Sequence, residues 1–334
     1  MNDPILVEVT RGSLVESRHA GRAVVVDADG AILFSAGNVN APIFPRSAVK
    51  ALQALPLVES GAADAHGFTE EMLALACASH GGEAGHVETA AGALAKLGLD
   101  ESALECGAHW PSFKPAGAAL AREGRKPSCL HNNCSGKHSG FLCLACHMEE
   151  PTQGYIQPGH AVQREVKAAL EGATGAVLPD GMRGIDGCGI PTFAAPLVAW
   201  ARGFARFGTG HGFAPDRAKA AARLRAAVAA HPWHVAGTGR FCTEVMQLLG
   251  SRAFIKTGAE GVFLVALPEQ GLGIAVKADD GGTRASEVAT AALIARFLPM
   301  DDPTRAGFER FVRPELKNWT GTLVGGVRPA GALA

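Results

Sequence analysis

The sequence predicts an α+β fold, loosely α/β of three-layer type, in which strands from both ends of the chain build one antiparallel sheet around a helical middle. Two observations predict it. Strand-like runs fall at about residues 5–36 and again at about 254–277, while 46–232 reads mostly as helix and loop. Strands and helices do not alternate, which argues against a parallel sheet. A sheet shared by both ends also leaves no place to cut the chain into sequential domains, so one domain spanning 1–334 is expected.

The elements follow in order. Residues 22–27 (Arg-Ala-Val-Val-Val-Asp) and 31–35 flank Ala28-Asp29-Gly30, and Asp-Gly favours the backbone of a tight hairpin. Leu6, Val7 and Val9 predict a neighbouring strand. Pro42 and Pro45 suit the approach to a helix whose first turn holds Ser47 and Lys50. Leu52, Leu55 and Val58 continue its apolar face, and Pro56 kinks or breaks it. Thr69 is placed to cap a short helix through Glu70, Glu71, Met72 and Leu75, which delivers Cys77-Ala78-Ser79-His80 and a Gly81-Gly82 loop. Residues 83–97 form a helix closed by Gly98. Pro111, Pro115, Gly117 and Pro127 make 107–128 a long connection. Residues 135–147 read as a buried helix, and Val162, Val166, Ala169 and Leu170 mark an amphipathic one. Helices are expected at 191–207 and 215–231, the latter with proline at its first position. Strands return at 254–257, 261–267 and 271–277, with Pro268-Glu269-Gln270-Gly271 as a turn, and 283–297 is a closing helix.

Charge and composition exclude several functions. The 31 basic residues balance 32 acidic ones, and no basic run is interleaved with aromatics, so nucleic acid is not an expected partner. No apolar run approaches the roughly 20 residues that span a bilayer, so no membrane association is expected. The opening Met-Asn-Asp-Pro-Ile-Leu-Val-Glu does not read as a secretory leader. The 8 cysteines then read as reduced thiols, and a cytoplasmic location is expected.

Ser47 and Lys50 stand three apart at a predicted helix start, where such residues share a face, so the amine is expected to reach the hydroxyl. A serine hydroxyl is a poor nucleophile until a base takes its proton, and a desolvated lysine can be that base. Alone the spacing occurs by chance. Lys256-Thr257-Gly258, at the edge of a late strand, changes its weight. Ser-x-x-Lys early and Lys-Thr-Gly late is the order of serine β-lactamases and penicillin-binding proteins. A strand beside the scissile carbonyl can supply one N–H of an oxyanion hole, the nucleophile's own N–H the other. The intervening Ser-x-Asn element is missing; the nearest match, Ser79-His80-Gly81, lacks the Asn.

A third constellation pairs Asn132-Asn133-Cys134-Ser135-Gly136-Lys137-His138 with Asp186-Gly187-Cys188-Gly189-Ile190-Pro191. Two thiols in glycine-bearing turns, each beside a second donor, could hold a borderline metal such as Zn²⁺, or they could be buried small apolar residues. By spacing His138, four residues from Cys134, is the natural partner; an ammonium such as Lys137 has no lone pair unless it is held neutral. Cys143-Leu144-Ala145-Cys146-His147 fits a haem-attachment pattern but lies inside an apolar helix, and Cys106-Gly107-Ala108-His109 has no partner pair. His231-Pro232-Trp233-His234 reads as a helix terminus, where histidine suits the negative end of the dipole.

Taken together, Arg46-Ser47-Ala48-Val49-Lys50, Cys77-Ala78-Ser79-His80, the Cys-Ser-Gly-Lys-His and Asp-Gly-Cys segments and Gly237-Thr238-Gly239-Arg240 resemble the asparaginase II family over about residues 5–327. These are the class 3, rhizobial-type L-asparaginases, unrelated to the threonine-nucleophile enzymes. The resemblance implies a fold similar to serine β-lactamases and glutaminases, hydrolysis of L-asparagine to L-aspartate and ammonia, and a homodimer. It implies two Ser–Lys pairs, Ser47 with Lys50 and Ser79 with Lys256. It implies a zinc site of Cys134, Lys137 and Cys188 with Asp186 behind it. Arg46 or His138 is expected to hold the substrate carboxylate. His131 and the residues flanking Lys256 depart from the family pattern without removing a chemical group. The rival readings are a glutaminase or broader amidase on the same scaffold, a β-lactam-binding enzyme, and a non-catalytic zinc-binding structural protein.

Overall fold

The structure, a computed structural model, describes residues 3–334. Its sheet is built from β1 (Ile5–Arg11), β2 (Leu14–Asp27), β3 (Ile32–Ala36), β4 (Phe254–Thr257), β5 (Val262–Leu267), β6 (Leu272–Ala278), β7 (Glu315–Lys317) and β8 (Leu323–Pro329). The order is β7-β8-β1-β2-β6-β5-β4, with β3 also beside β2, and all pairings are antiparallel. Strands from both ends therefore share one sheet, and the fold is the α+β class that the sequence predicts.

The long strand β2 joins the two halves. Its residues 14–20 pair with β1, and its residues 21–27 pair with β6. The change of partner falls at Gly21, where a Cβ would lie 2.3 Å from the Lys277 carbonyl oxygen, so only glycine lets the strands approach. The segment Val262–Leu267 is buried at every position, with no polar alternation. A strand covered on both faces reads as a continuous apolar run, and here the helices Leu197–Thr209 and Thr283–Phe297 supply the two covers. Helix Leu197–Thr209 lies so near that a Cβ on Gly273 of β6 would fall 1.9 Å from the Ala201 carbonyl oxygen.

The helical middle follows the predicted periodicities. Thr69 caps Glu70–Ala76 by accepting the Met72 N–H at 3.4 Å, which fixes where that helix starts. Helix Ser135–His147 is buried along 135–145, as the sequence predicts, and this burial takes in the polar Ser135, Lys137, His138 and Ser139. Among the described residues no helix is long and apolar enough to cross a membrane.

Three elements differ from expectation. The connection 107–128 contains the helix Lys114–Arg122, whose Pro115 sits in the first turn, where proline costs nothing because its missing N–H would be unpaired anyway. The expected helix 191–207 starts only at Leu197, after Pro196; its first residues, Pro191–Phe193, instead form a strand paired with Arg183–Ile185. Past the closing helix the chain continues into the helix Asp302–Val312 and the strands β7 and β8. Gly325 and Gly326 hide β8 from a propensity reading, yet the first is required, since a Cβ there would fall 1.9 Å from the Thr10 carbonyl oxygen of β1.

Candidate active site

The site lies where the N-terminal Ser-x-x-Lys segment meets β4 and the buried helix. Arg46–Val49 forms one 3₁₀ turn, and the α-helix Lys50–Gln53 continues from it. The chain enters the turn through Arg46 at φ 52°, a left-handed conformation that costs a side-chain-bearing residue on the order of 1–3 kcal/mol. What holds it there is the Arg46 Nε–H, which donates to Asp186 Oδ1 at 2.7 Å. From the opposite side Gly258, just past β4, closes on the turn: a Cβ there would lie 2.5 Å from the Pro45 carbonyl oxygen and 3.3 Å from Ala48 Cβ. The Lys-Thr-Gly strand thus borders the turn that carries Ser47, through Pro45 and Ala48.

Lys50 is buried, and its amine does not bond to Ser47 as the three-residue spacing suggests. It donates to the Ala78 carbonyl oxygen at 2.5 Å, to Ser79 Oγ at 3.0 Å and to Cys134 Sγ at 3.0 Å. The physical reason is desolvation. A buried ammonium must find acceptors that water cannot reach, whereas Ser47 is half-buried and can be hydrated. Ser79 is fixed by its N–H, which donates to the Val235 carbonyl oxygen at 2.9 Å. Its hydroxyl also accepts from Lys256 Nζ at 2.8 Å, and Lys256 donates to the Thr257 carbonyl oxygen at 2.9 Å. The four residues expected as two Ser–Lys pairs are therefore linked as Lys50–Ser79–Lys256, with Ser47 at the more open edge.

Burial, reinforced by the Lys50 charge, pushes the Lys256 ammonium down to about 7. Near neutral pH the circuit can hold one charged and one neutral amine. Ser79 can then donate its proton to the neutral amine while accepting from the charged one.

Behind Lys50 stand the two thiols. Lys137 Nζ donates to Cys188 Sγ at 2.9 Å, and all three of Cys134, Lys137 and Cys188 are buried. A hydrogen bond from Cys188 lowers the Cys134 thiol well below its ordinary value, against the cost of burial, and the Lys50 and Lys137 charges help. The Cys188 thiol moves up because it supplies that hydrogen bond and is itself buried. The arrangement favours a thiolate on Cys134, which faces the Lys50 amine while Lys137 holds Cys188. Burial disfavours the charge on Lys137, but Cys188 and Cys134 outweigh it and raise its pKa. Asp186 accepts from Arg46 and from the Gly187 N–H at 2.8 Å; burial raises its carboxyl, but Lys137 and Arg46 hold it below the usual range. Among the described residues no three His, Cys, Asp or Glu side chains converge as metal ligands; the third donor beside the two thiols is a lysine.

The residues expected to hold a carboxylate are engaged otherwise. Arg46 pairs with Asp186, and His138, which spacing made the natural metal partner, is fully buried with Nδ1 2.7 Å from the Tyr155 hydroxyl. The Glu105 N–H donates to that hydroxyl at 2.9 Å, which frees the tyrosine proton for Nδ1 and leaves the histidine's proton on Nε2, an atom without a partner. Burial, then the Lys137 and Lys50 charges, keep this ring neutral.

Two kinds of participant escape a sequence reading. The carbonyls of Ala78 and Asn133 are backbone groups with no sequence signal. Glu83, Thr238 and Arg240 line a cavity of about 340 Å³ whose floor includes Gly81, two residues past Ser79. Of these, only the Gly237–Arg240 turn enters the sequence argument, through the family resemblance.

No curated relative matches the chain. Among solved structures it is similar to a β-lactamase from Mycobacterium bovis, with 15% identity over 84% of this chain and 96% of that one, at a TM-score of 0.41. A putative β-lactamase from Bacteroides dorei shows 12% identity over 81% and 92% of the two chains, with a TM-score of 0.41. The structure titled Mglu shows 16% identity over 84% and 69%, with a TM-score of 0.37. The family model described as L-asparaginase II matches residues 7–329, nearly the whole chain. The chain belongs to the L-asparaginase II family, and its function is of the amidohydrolase type.

Proposed function

We propose that the chain hydrolyses the side-chain amide of L-asparagine to L-aspartate and ammonia through an acyl-enzyme on Ser47. The observation that carries this reading is the buried Lys50–Ser79–Lys256 circuit, whose Lys50 lies one turn after a more accessible serine. Ser47 Oγ attacks the amide carbon and its proton passes to Lys50 as Lys50 hands one of its own through Ser79 to the neutral Lys256; the Ser47–Lys50 contact closes when substrate binds, as catalytic hydrogen bonds commonly do. The N–H groups of Ser47 and Ala259 form no hydrogen bond among the described residues, and the Gly258 contact brings their two turns together, so they are our candidates for the oxyanion hole. The C–N bond breaks as the nitrogen takes a proton from Lys50, or from Lys256 through Ser79. Water then attacks the ester with the proton moving back along the same path, which releases aspartate and restores the Ser47 hydroxyl.

A second reading has its own support: Ser79, which two amines already contact, is the nucleophile. Both readings are tested by trapping the acyl-enzyme during turnover and mapping the modified peptide by mass spectrometry. The acyl group is expected on Ser47, and Ser47→Ala is expected to release no ammonia from asparagine. An acyl group on Ser79, or sustained turnover by Ser47→Ala, overturns the Ser47 assignment. Faster ammonia release from glutamine than from asparagine would move the substrate reading to a glutaminase.

The donor chemistry of the thiol cluster fits Zn²⁺. Cys134, Cys188 and Lys137 would hold it once Lys137 gives up its proton, with Asp186 beside them through Lys137 and Arg46. When bound, the ion supplies a fixed positive charge and a Lewis-acid contact next to Arg46. In our reading it tunes substrate binding, since a serine already serves as nucleophile. Cys134→Ala is expected to purify folded but depleted of zinc by elemental analysis; an unchanged zinc content refutes this ligand set.

A further inference from the structure

We infer that the cavity between Glu83 and Arg240 is the subsite for the α-amino-acid end of the substrate, with Arg240 taking the α-carboxylate and Glu83 the α-ammonium. The inference rests on the amidohydrolase reading and deepens it. It makes the pocket selective for a free amino acid over the same amide in a peptide or in a truncated chain.

Position comes first. The cavity of about 340 Å³ is lined by Gly81, Glu83, Lys114, Ala236, Thr238 and Arg240, among others. Gly81 is two residues past Ser79, and Ala236 follows Val235, whose carbonyl fixes the Ser79 N–H. The segment that carries Ser79 and the one that fixes its N–H therefore both reach the cavity wall, and on our inference a ligand seated there directs its side chain toward Ser79. The size suits a four-carbon amino acid with room for water.

Charge comes second. The Glu83 side chain is 12% exposed, and its carboxylate is held in a built cradle. The Thr238 N–H donates to Oε1 at 2.8 Å and the Thr238 hydroxyl donates to Oε2 at 2.7 Å. Trp233 Nε1–H donates in turn to the Thr238 hydroxyl at 3.0 Å, fixing its direction. Gly237, at φ 106°, allows this close wrap: a Cβ there would fall 2.6 Å from Glu83 Oε1. Across the cavity the Arg240 guanidinium, half-buried, has no ion pair or hydrogen bond among the described residues, and Lys114 adds a second cation at the rim. Glu287 is near enough to feel the Arg240 charge but forms no ion pair with it. An oriented carboxylate facing an unpaired guanidinium in one small cavity is complementary to a zwitterion, and the planar fork of arginine suits a carboxylate bidentately.

The test pairs two variants with two truncated amides. Succinamate lacks the α-ammonium and 3-aminopropanamide lacks the α-carboxylate. Arg240→Gln is expected to raise the KM for asparagine at least about tenfold, the effect of losing one charge-assisted contact, while leaving kcat/KM for 3-aminopropanamide unchanged. Glu83→Gln is expected to do the same for asparagine and to leave succinamate unchanged. Equal losses on the whole and truncated amides, or an unchanged KM for asparagine, overturn the inference. If Arg240→Gln fails to fold, Lys114→Met, combined with Arg240→Lys, carries the same comparison. Calorimetric binding of L-aspartate separates this inference from the parent reading. A wild-type chain that binds aspartate through Arg240 but releases no ammonia refutes only the hydrolase, and one that hydrolyses asparagine with an indifferent Arg240 refutes only the subsite. A chain that does neither refutes both.

Discussion

Lys256 sets the acid limit of the proposed reaction. With its ammonium near 7 and Lys50 beside it, acidification below neutrality gives the circuit two charged amines and no base. The rate constant kcat/KM for asparagine is therefore expected to fall about tenfold for each pH unit below 7. Lys256→Met is expected to abolish the limb along with most of the activity. A profile flat from pH 8 to 5 in the unmodified chain would remove Lys256 from the mechanism. The same shift bears on stability. The folded pKa lies below the ordinary 10.5, so the unfolded chain binds the extra proton between pH 7 and 10.5, and this group's contribution to stability rises with pH through that window. At this scale Ser47, Lys50 and Lys256 were legible because their chemistry follows from a three-residue spacing and a strand-edge motif. The partner of Lys50 was not. Which hydroxyl a buried amine chooses depends on what else is buried, and that is set by Ser79 and Cys134 arriving from segments 29 and 84 residues away. Lys137 was hidden for a related reason: it becomes a plausible metal donor only because two thiols meet it in the interior.

Elements were legible wherever their local signal and their tertiary role agree. Thr69, Gly98 and the Asp29-Gly30 turn end or begin elements through backbone chemistry that needs no distant partner. The apolar run predicts the strand at 261–267, and the structure adds that Val262–Leu267 is buried at every position. Errors came where glycine or proline had two readings. Pro115 marks a loop by composition but sits in the first turn of a helix, and Pro196 ends a strand segment within a stretch that the sequence predicts as helix. Gly258 belongs to this scale as well. From sequence it is the third letter of a motif; in the fold it is the point at which β4 touches the turn that carries Ser47, and any side chain there must displace that turn.

At the scale of the molecule, β8 closes the sheet on β1 and so ties residues 325–329 to residues 7–11. That link was invisible in sequence because its strand contains two adjacent glycines, the residues that weaken strand propensity most and that close strand approach most requires. Pairing Val9 with Val327 and Arg11 with Gly325 places the C-terminal strand beside β7 at one end of the sheet, while β4 and Lys256 lie at the opposite edge. If both edges belong to one cooperative unit, damage at β8 is felt throughout. Gly325→Val puts a branched side chain where even a Cβ would fall 1.9 Å from the Thr10 carbonyl oxygen, which forces β8 off β1. The expected cost is about 2–3 kcal/mol or more, in the range of severe overpacking. Differential scanning calorimetry should show one transition moved several degrees lower. Two separated transitions would mean that β1, β7 and β8 unfold apart from the half that carries β4 and Lys256, and an unchanged Tm would mean that this pairing contributes little to the fold.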